Sequence, residues 1–162
     1  MGGCDRVLNI FVDADGCPVK EEIYRVARRH ALPVVLVANS TMAVPPSDTV
    51  RLEVVSGRFD AADDRIVELA EAGDVVVSGD LPLAARCIAK GALVLSAKGR
   101  RFDEESIGDA LVTRDLLEHL RGGGMVTGGP PPFDRKDRSR FLDGLEASIR
   151  AARSRSSRSS AD

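Results

Sequence analysis

The chain alternates short continuous apolar runs with longer segments in which apolar residues recur every three or four positions. The apolar runs have the length of strands and are rich in Val, Ile and Leu: residues 7–12, 33–37, 50–55, 74–78 and 92–96. They lack the strict alternation of a half-exposed strand, which predicts strands covered on both faces. Strands that alternate with helices in this way form a parallel sheet with crossover helices. The pattern therefore predicts an α/β fold with a mainly parallel, five-stranded sheet flanked by helices.

Segments with helical periodicity lie between these runs. Helices are predicted from near Pro18, over residues 61–72, from Leu81 to near Gly91, and from Thr113. In the first of them, Val19, Ile23 and Val26 share one stripe. We expect this stripe to face the sheet.

The composition of the chain changes twice near its end. After the helix-breaking segment GGGMVTGGPPPF, Phe141, Leu145 and Ile149 fall on one face of a last helix, which can dock on the core. The segment RAARSRSSRSSAD follows, with four Arg and five Ser in thirteen residues. Such a segment buries too little apolar surface to become ordered. We therefore predict one domain over residues 1–149 and a disordered tail over residues 150–162.

Length and cysteine usage indicate the class of protein. A chain of 162 residues is about one domain. Its three cysteines, Cys4, Cys17 and Cys87, are an odd number without a signal peptide, which indicates reduced thiols in the cytoplasm. Cys17 fits a small packing residue better than an activated thiol, because no His lies near it in sequence. No apolar run reaches the roughly 18 residues of a membrane span, so we expect a soluble protein without a membrane partner.

Charge is unevenly distributed along a chain whose net charge is only −2. Residues 53–80 hold eight acids against two bases, whereas residues 133–162 hold eight bases against five acids. This asymmetry is typical of an acidic site with basic surroundings, where a metal ion meets an anionic substrate.

Acidic residues directly follow two of the predicted strands. Asp13 and Asp15 come after the first strand and Asp80 after the fourth. The carboxyl ends of parallel strands border the ligand crevice, so these side chains are expected at one edge of the sheet. Carboxylates about 4 Å apart repel each other by roughly 1 kcal/mol in water and about 4 kcal/mol at an effective dielectric constant of about 20. Their convergence therefore requires a cation.

The second predicted helix carries two further candidates. Asp63 lies on its inward apolar stripe and Asp64 is the next residue. Mg²⁺ and Mn²⁺ prefer carboxylate oxygens and water, and a chain with only two His is a poor zinc protein. We therefore expect a Mg²⁺ or Mn²⁺ site that is also the catalytic site, formed by Asp13, Asp15, Asp63, Asp64 and Asp80.

Each acid also has a purely structural interpretation. Asp60 is a candidate N-cap of the second helix with Asp63 three positions later, and Asp80 is a candidate N-cap of the third. Asp15 is a candidate turn residue between strand and helix. Capping leaves Asp13 unexplained, because it follows an apolar strand directly and precedes a second acid. The full set therefore favours a joint site.

Basic residues near the same edge are candidates for contacts with phosphate: Lys98, Arg100, Arg101, Arg138 and Arg140. The first three follow the fifth strand, in a run that fits a solvated loop and a phosphate contact equally well. Arg138 can instead pair with Asp134 one helical turn away and stabilise the last helix.

The motifs VDADGCPVK, DAADDRIVELA, DVVVSGDLPLAARCIAKGA and GGPPPFDRKDRSRFLDGL resemble, in order, those of the YaiI/YqxD family of uncharacterised bacterial proteins. The resemblance extends nearly to Ile149. That family is grouped with PIN-like domains, which implies a sheet ordered 3-2-1-4-5 and a metal-dependent acidic site of the ribonuclease type. Such an order sets the first strand beside the fourth, so that Asp13 and Asp15 would face Asp80.

Three functions fit these residues. In the first, the acids hold one or two Mg²⁺ or Mn²⁺ ions that activate water for attack on a phosphodiester, with RNA or another nucleic acid as partner. With five Phe, one Tyr and no Trp, little sequence specificity is expected. In the second, a phosphatase of the haloacid-dehalogenase type, Asp13 would attack phosphorus and Asp15 act as general acid, but Ala84 stands where a second acid is needed. The third is a non-catalytic PIN-like module that binds RNA or protein.

Overall fold

The computed structural model describes residues 7–15, 17–56, 61–108 and 134–161, with side chains through residue 154. Its elements are β1 (Ile10–Asp13), α1 (Lys20–His30), β2 (Val34–Ala38), β3 (Val50–Val54), α2 (Ala61–Leu69), β4 (Val75–Val77), α3 (Leu81–Ala89), β5 (Leu93–Leu95), β6 (Arg101–Phe102), α4 (residues 104–108) and α5 (Arg135–Ala161). The helix predicted from Thr113 and the cap predicted at Asp60 lie outside the described residues. Within the described ranges, no helix is both long and apolar enough to cross a membrane.

The strands form one mainly parallel sheet in the order β3-β2-β1-β4-β5-β6. The first five strands pair in parallel in the order expected from the family resemblance. The predicted count of five strands is wrong, because β6 pairs antiparallel with β5 as an additional edge strand. With only Arg101 and Phe102, β6 is too short to show any periodicity in the sequence.

Helices cover both faces of the central strands. Ile10 and Val12 of β1 point toward α1 and α5, whereas Phe11 points toward α2 and α3. All three side chains are buried, each contributing about 1.5–3 kcal/mol of hydrophobic stabilisation. The edge strand β3 differs from the prediction of full burial, since Val54 is 48% exposed.

Helix α1 crosses the domain from one edge of the sheet to the other. It begins just after the carboxyl end of β1, and its buried stripe includes Ile23 and Val26 as predicted. It ends at Ala31, which takes a left-handed conformation with φ of 55° and lets the N–H of Leu32 bond to the carbonyl of Ala27 at 2.9 Å. The chain then enters β2 at the opposite, amino edge of the sheet.

Helix α5 begins with a reciprocal cap. Oδ1 of Asp134 accepts from the N–H of Asp137 at 2.9 Å, and Oδ2 of Asp137 accepts from the N–H of Asp134 at 3.1 Å. The predicted apolar stripe is fully buried, and it continues beyond Ile149 to Ala152, which is 1% exposed. The predicted boundary after Ile149 therefore falls inside a helix, and the turn that follows it packs on the domain.

Candidate functional site

The carboxyl ends of β1 and β4 meet at the centre of the sheet. The helix after β1 (α1) packs on one face, whereas the helix after β4 (α3) packs on the other. In open α/β sheets, this change of face opens a crevice at the carboxyl edge, where ligands bind. Asp13 is the last residue of β1 and is partly buried there.

Ser78 links the two strand ends. Its hydroxyl donates to Oδ2 of Asp13 at 3.1 Å and accepts from the N–H of Asp80 at 3.0 Å. Ser78 is 4% exposed, so this pair of bonds accounts for a buried polar side chain. Ser78 was not among the predicted site residues. The signal that could have identified it is a polar residue directly after the apolar run VVV.

Asp80 caps α3, as the structural interpretation predicted. Its backbone is extended, with φ of −79° and ψ of 114°, and its Oδ1 accepts from the N–H of Leu83 at 2.9 Å. Pro82 in the first turn fits the same helix start. The cap engages one carboxylate oxygen, and Oδ2 receives no hydrogen bond from another described residue.

Asp15 ties the connection after β1 to the end of β2. The side chain is exposed, and its Oδ2 accepts from the N–H of Asn39 at 2.8 Å. Asn39 is the first residue after β2, so this bond holds Asp15 at the same carboxyl edge as Asp13.

The charges of Asp15 and Asp80 act on Asp13. Burial raises the pKa of Asp13, and the charges of Asp80 and Asp15 raise it further, whereas the hydrogen bond from Ser78 opposes them. Both effects act against the charged form of Asp13. Asp80 and Asp15 are therefore near enough to Asp13 for their charges to act on it.

The two acids of α2 face α3. Oδ1 of Asp64 accepts from a guanidinium nitrogen of Arg86 at 2.8 Å, and this bond is the main reason why the pKa of Arg86 is raised. Asp63 adds to that rise and also to the rise in the pKa of Cys87 to about 11, which burial dominates. Neither carboxylate is among the groups that shift the pKa of Asp13. Asp63 and Asp64 thus form an acidic pair that is next to the three edge acids but separate from them.

Metal-ligand geometry is only partly formed in the described part of the chain. There, no group of three or more His, Cys, Asp or Glu side chains is arranged to hold a metal ion. Each of Asp13, Asp15 and Asp80 nevertheless keeps one carboxylate oxygen that no other described residue bonds. Carboxylate oxygens of this kind match the preference of Mg²⁺ and Mn²⁺.

Cys17 lies near Asp13, and its thiol is not activated. Burial raises its pKa, against the opposing effects of the Val19 N–H and of Lys20. The side chain packs against the core below α1. A nucleophilic cysteine needs a lowered pKa, so Cys17 fits the packing role.

The predicted basic residues of the β5–β6 loop are exposed beside α5. A Cβ atom on Gly99 would lie 2.3 Å from the carbonyl oxygen of Arg140, so the loop contacts the helix backbone directly. Lys98 and Arg100 flank this contact, and the Arg100 guanidinium lies 5.5 Å from the ring centre of Phe102. Arg101 is exposed on β6.

The two predicted arginines of α5 differ in their contacts. Arg138 donates to Oε1 of Glu22 at 3.2 Å and to the carbonyl of Pro18 at 3.2 Å, so it joins α5 to the start of α1. Arg140 is 69% exposed and lies 3.8 Å from Oδ1 of Asp137. Arg140 is therefore the more available of the two for an anionic ligand.

Comparison with known proteins gives a family and no solved structure. The model of a family described as "Uncharacterized BCR, YaiI/YqxD family" matches residues 11–151. The UPF0178 protein of Brucella ovis is 55% identical over 141 residues, which cover 86% of this chain and 88% of that protein. A UPF0178 protein of Paramagnetospirillum magneticum is 49% identical over 144 residues, which cover 89% of this chain and 95% of that protein. No solved structure matches the chain.

Proposed function

The chain belongs to the YaiI/YqxD family, and we propose that it is a PIN-like nuclease that hydrolyses RNA phosphodiesters with Mg²⁺ or Mn²⁺. One observation carries this proposal: partly buried Asp13 is joined through Ser78 to Asp80 at the carboxyl edge of β1 and β4. Asp15 adds a third carboxylate, whose charge acts on Asp13. Such concentrated negative charge suits a cation-dependent reaction on a phosphate.

A divalent cation fits the donor atoms of this edge. Mg²⁺ usually keeps several waters and binds proteins through one or two carboxylates plus substrate phosphates, so a three-residue cage is not required. Asp13 and Asp80 would hold the ion, and Asp15 would bind one of its waters. When bound, the ion would lower the pKa of a water molecule, which then loses a proton more readily and can attack phosphorus.

Side chains of the protein would orient the acids of the site and attract the phosphates of the substrate. The hydroxyl of Ser78 fixes the carboxylate of Asp13, and the α3 cap fixes that of Asp80. Lys98, Arg100 and Arg140 would attract phosphates from the β5–β6 loop and the neighbouring helix. Because the aromatic side chains among the described residues are buried, the contact would be to the backbone of RNA and indifferent to base sequence.

The acids of α2 have a smaller part in this proposal. Asp64 already binds Arg86, and an ion at Asp13 would have to compete for it. Asp63, the preceding residue of α2, would add negative charge beside the ion without binding it.

A non-catalytic RNA-binding module is the second candidate. It is favoured by the pairing of Asp64 with Arg86 and by the lack, among the described side chains, of a preformed three-ligand group. In that case the acids at the edge would stabilise the protein when a cation binds, without turnover.

One side-by-side assay tests the proposal. The purified protein is incubated with Mn²⁺ or chelator and with either end-labelled single-stranded RNA or a generic phosphomonoester. We expect cleavage of RNA only with Mn²⁺, and loss of cleavage in Asp13→Asn and Asp80→Asn but not in Asp48→Asn, an exposed acid in the β2–β3 loop. Activity that survives both edge substitutions, or hydrolysis of the phosphomonoester alone, would contradict it. Binding of RNA without cleavage would favour the second candidate.

A further inference from the structure

Helices α1 and α5 run side by side in the same direction. Near their starts, Arg138 contacts Glu22 and Pro18. Near the end of α1, Arg153 donates to the carbonyl of His30 at 3.2 Å and lies 3.1 Å from its Nδ1. Both helices therefore start at the carboxyl edge, where the acids lie, and the end of α1 meets Arg153 at the amino edge.

The described part of this far end is strongly cationic. Exposed arginines lie on both helices: Arg25, Arg28 and Arg29 on α1, and Arg150 and Arg153 on α5. We call these five residues the α1–α5 cationic face. Burial is the main cause that lowers the pKa of His30. The charges of Arg153, Arg29 and Arg150 lower it further, so cations of both helices act on this one side chain.

Helix dipoles explain only part of this charge. The C-terminus of α1 carries roughly −0.5 elementary charge, whereas α5 continues past Arg153 to Ala161. Glu146, which pairs with Arg29 and with His30, adds one full negative charge. These two negative terms are smaller than the charge of the five arginines, so the face keeps a net positive charge.

A groove borders the cationic face beside α1. A groove of about 300 Å³ lies between α1 and the loop before β3, lined by Tyr24, Arg28, Pro46 and Thr49 among others. Arg28 belongs both to the groove and to the cationic face.

We propose that the α1–α5 cationic face is a second docking surface for the phosphate backbone of single-stranded RNA. It lies at the opposite end of α1 from the acids, a helix of 11 residues or about 16 Å. RNA bound there would be held away from the cutting edge, so the two surfaces together would select strands long enough to reach both. The choice of RNA as ligand rests on the proposed function.

An anionic membrane is the poorer partner for this face. The large apolar side chains that are exposed among the described residues are Val7 and Val54, and neither belongs to α1 or α5. Interfacial helices combine basic residues with an apolar face that enters the lipid, whereas the apolar stripes of α1 and α5 are buried in the core.

The test is a salt titration of RNA binding in chelator, where no cleavage occurs. Fluorescence anisotropy of a labelled single-stranded RNA is measured for the full chain and for Arg28→Gln/Arg150→Gln. The matched control, Arg51→Gln/Lys90→Gln, makes the same change in net charge on β3 and at the end of α3. Arg28 and Arg150 make no ion pair with another described residue, so their loss should leave the fold intact.

We expect the slope of log affinity against log salt to fall by about 0.7 for each lost phosphate contact, or about 1.4 for the double variant, and to stay constant in the control. Equal losses in both variants, an unchanged slope, or binding to anionic vesicles in place of RNA would overturn the inference. A wild type that binds through this face but never cuts would contradict the nuclease proposal alone. Cleavage with an unaffected salt slope would contradict the docking surface alone.

Discussion

The hydroxyl of Ser78 lies 3.1 Å from Oδ2 of Asp13 and joins the carboxyl ends of two neighbouring parallel strands. The oxygen of the Ser78 hydroxyl also accepts a hydrogen bond from the N–H of Asp80. A single buried side chain thus sets the relative position of the two acids in the candidate site. The first prediction concerns its removal.

Ser78→Ala should lower the free energy of unfolding by about 1–3 kcal/mol, because a partly buried carboxylate oxygen and a partly buried N–H both lose their partner. Urea denaturation measures this loss. Ser47→Ala, which removes an exposed hydroxyl bonded to Thr49, is the matched control and should change stability by less than about 0.5 kcal/mol. Equal effects of the two substitutions would show that Ser78 does not organise the site.

Asp13→Asn should stabilise the metal-free protein at neutral pH. Because burial and the charges of Asp80 and Asp15 raise the pKa of Asp13, the folded chain holds this proton to a higher pH than the unfolded chain does. Stability from this group is therefore present below its unfolded pKa and is lost as pH rises through its folded pKa. The advantage of Asp13→Asn over wild type should be absent near pH 3, grow as pH rises toward the folded pKa, and be constant above it. Melting temperatures in chelator across pH measure it, and a constant difference at all pH values would contradict the assignment.

Gly144→Ala should displace the β5–β6 loop. A Cβ atom at Gly144 would lie 2.7 Å from the carbonyl oxygen of Gly99, and this backbone has no flexible end that can move aside. We expect a loss of about 1–3 kcal/mol, as for overpacking elsewhere, together with weaker RNA binding because Lys98 and Arg100 shift. Gly108→Ala, where nothing lies within 4 Å, is the control and should leave both quantities unchanged.

Two truncations locate the end of the domain. Ending the chain after Ile149 removes buried Ala152 and the bonds of Arg153 to His30, and should cost about 1 kcal/mol. Ending it after Ser154 keeps these contacts and should leave the melting temperature nearly unchanged. Equal melting temperatures for both truncated proteins would restore the boundary predicted from the sequence.

Much of the fold was predictable because burial on both faces leaves a direct mark on the sequence. The runs of Val, Ile and Leu identified the central strands, and the stripe of Ile23 and Val26 identified α1. The sixth strand was not predicted because two residues are too few to show a hydrophobic period. Ala152 continues the buried stripe at i+3 from Ile149, in a segment whose Arg- and Ser-rich composition indicates disorder.

The candidate site was predictable only in part. Asp13 and Asp80 were predicted because each lies at the carboxyl end of an apolar run, and the strand order places β1 beside β4. The pairing of Asp64 with Arg86 joins residues 22 positions apart, and no local pattern announces such a contact. Ser78 was missed because a serine at the end of a strand usually has a local turn or capping role, and only the parallel pairing of β1 and β4 gives it Asp13 as a partner.

The central claim is that Asp13 and Asp80 share a divalent cation, and melting curves with chelator and with millimolar Mn²⁺ test it most directly. A ligand at about 100 times its dissociation constant stabilises the folded state by about 2.7 kcal/mol. We predict that Mn²⁺ raises the melting temperature of wild type strongly and that of Asp13→Asn and Asp80→Asn much less, because each variant lacks one ligand. In chelator, Asp80→Asn should melt close to wild type, since Asn caps α3 almost as well as Asp. If Mn²⁺ shifts all three proteins equally, or shifts none of them, Asp13 and Asp80 do not share a metal ion and the account is contradicted.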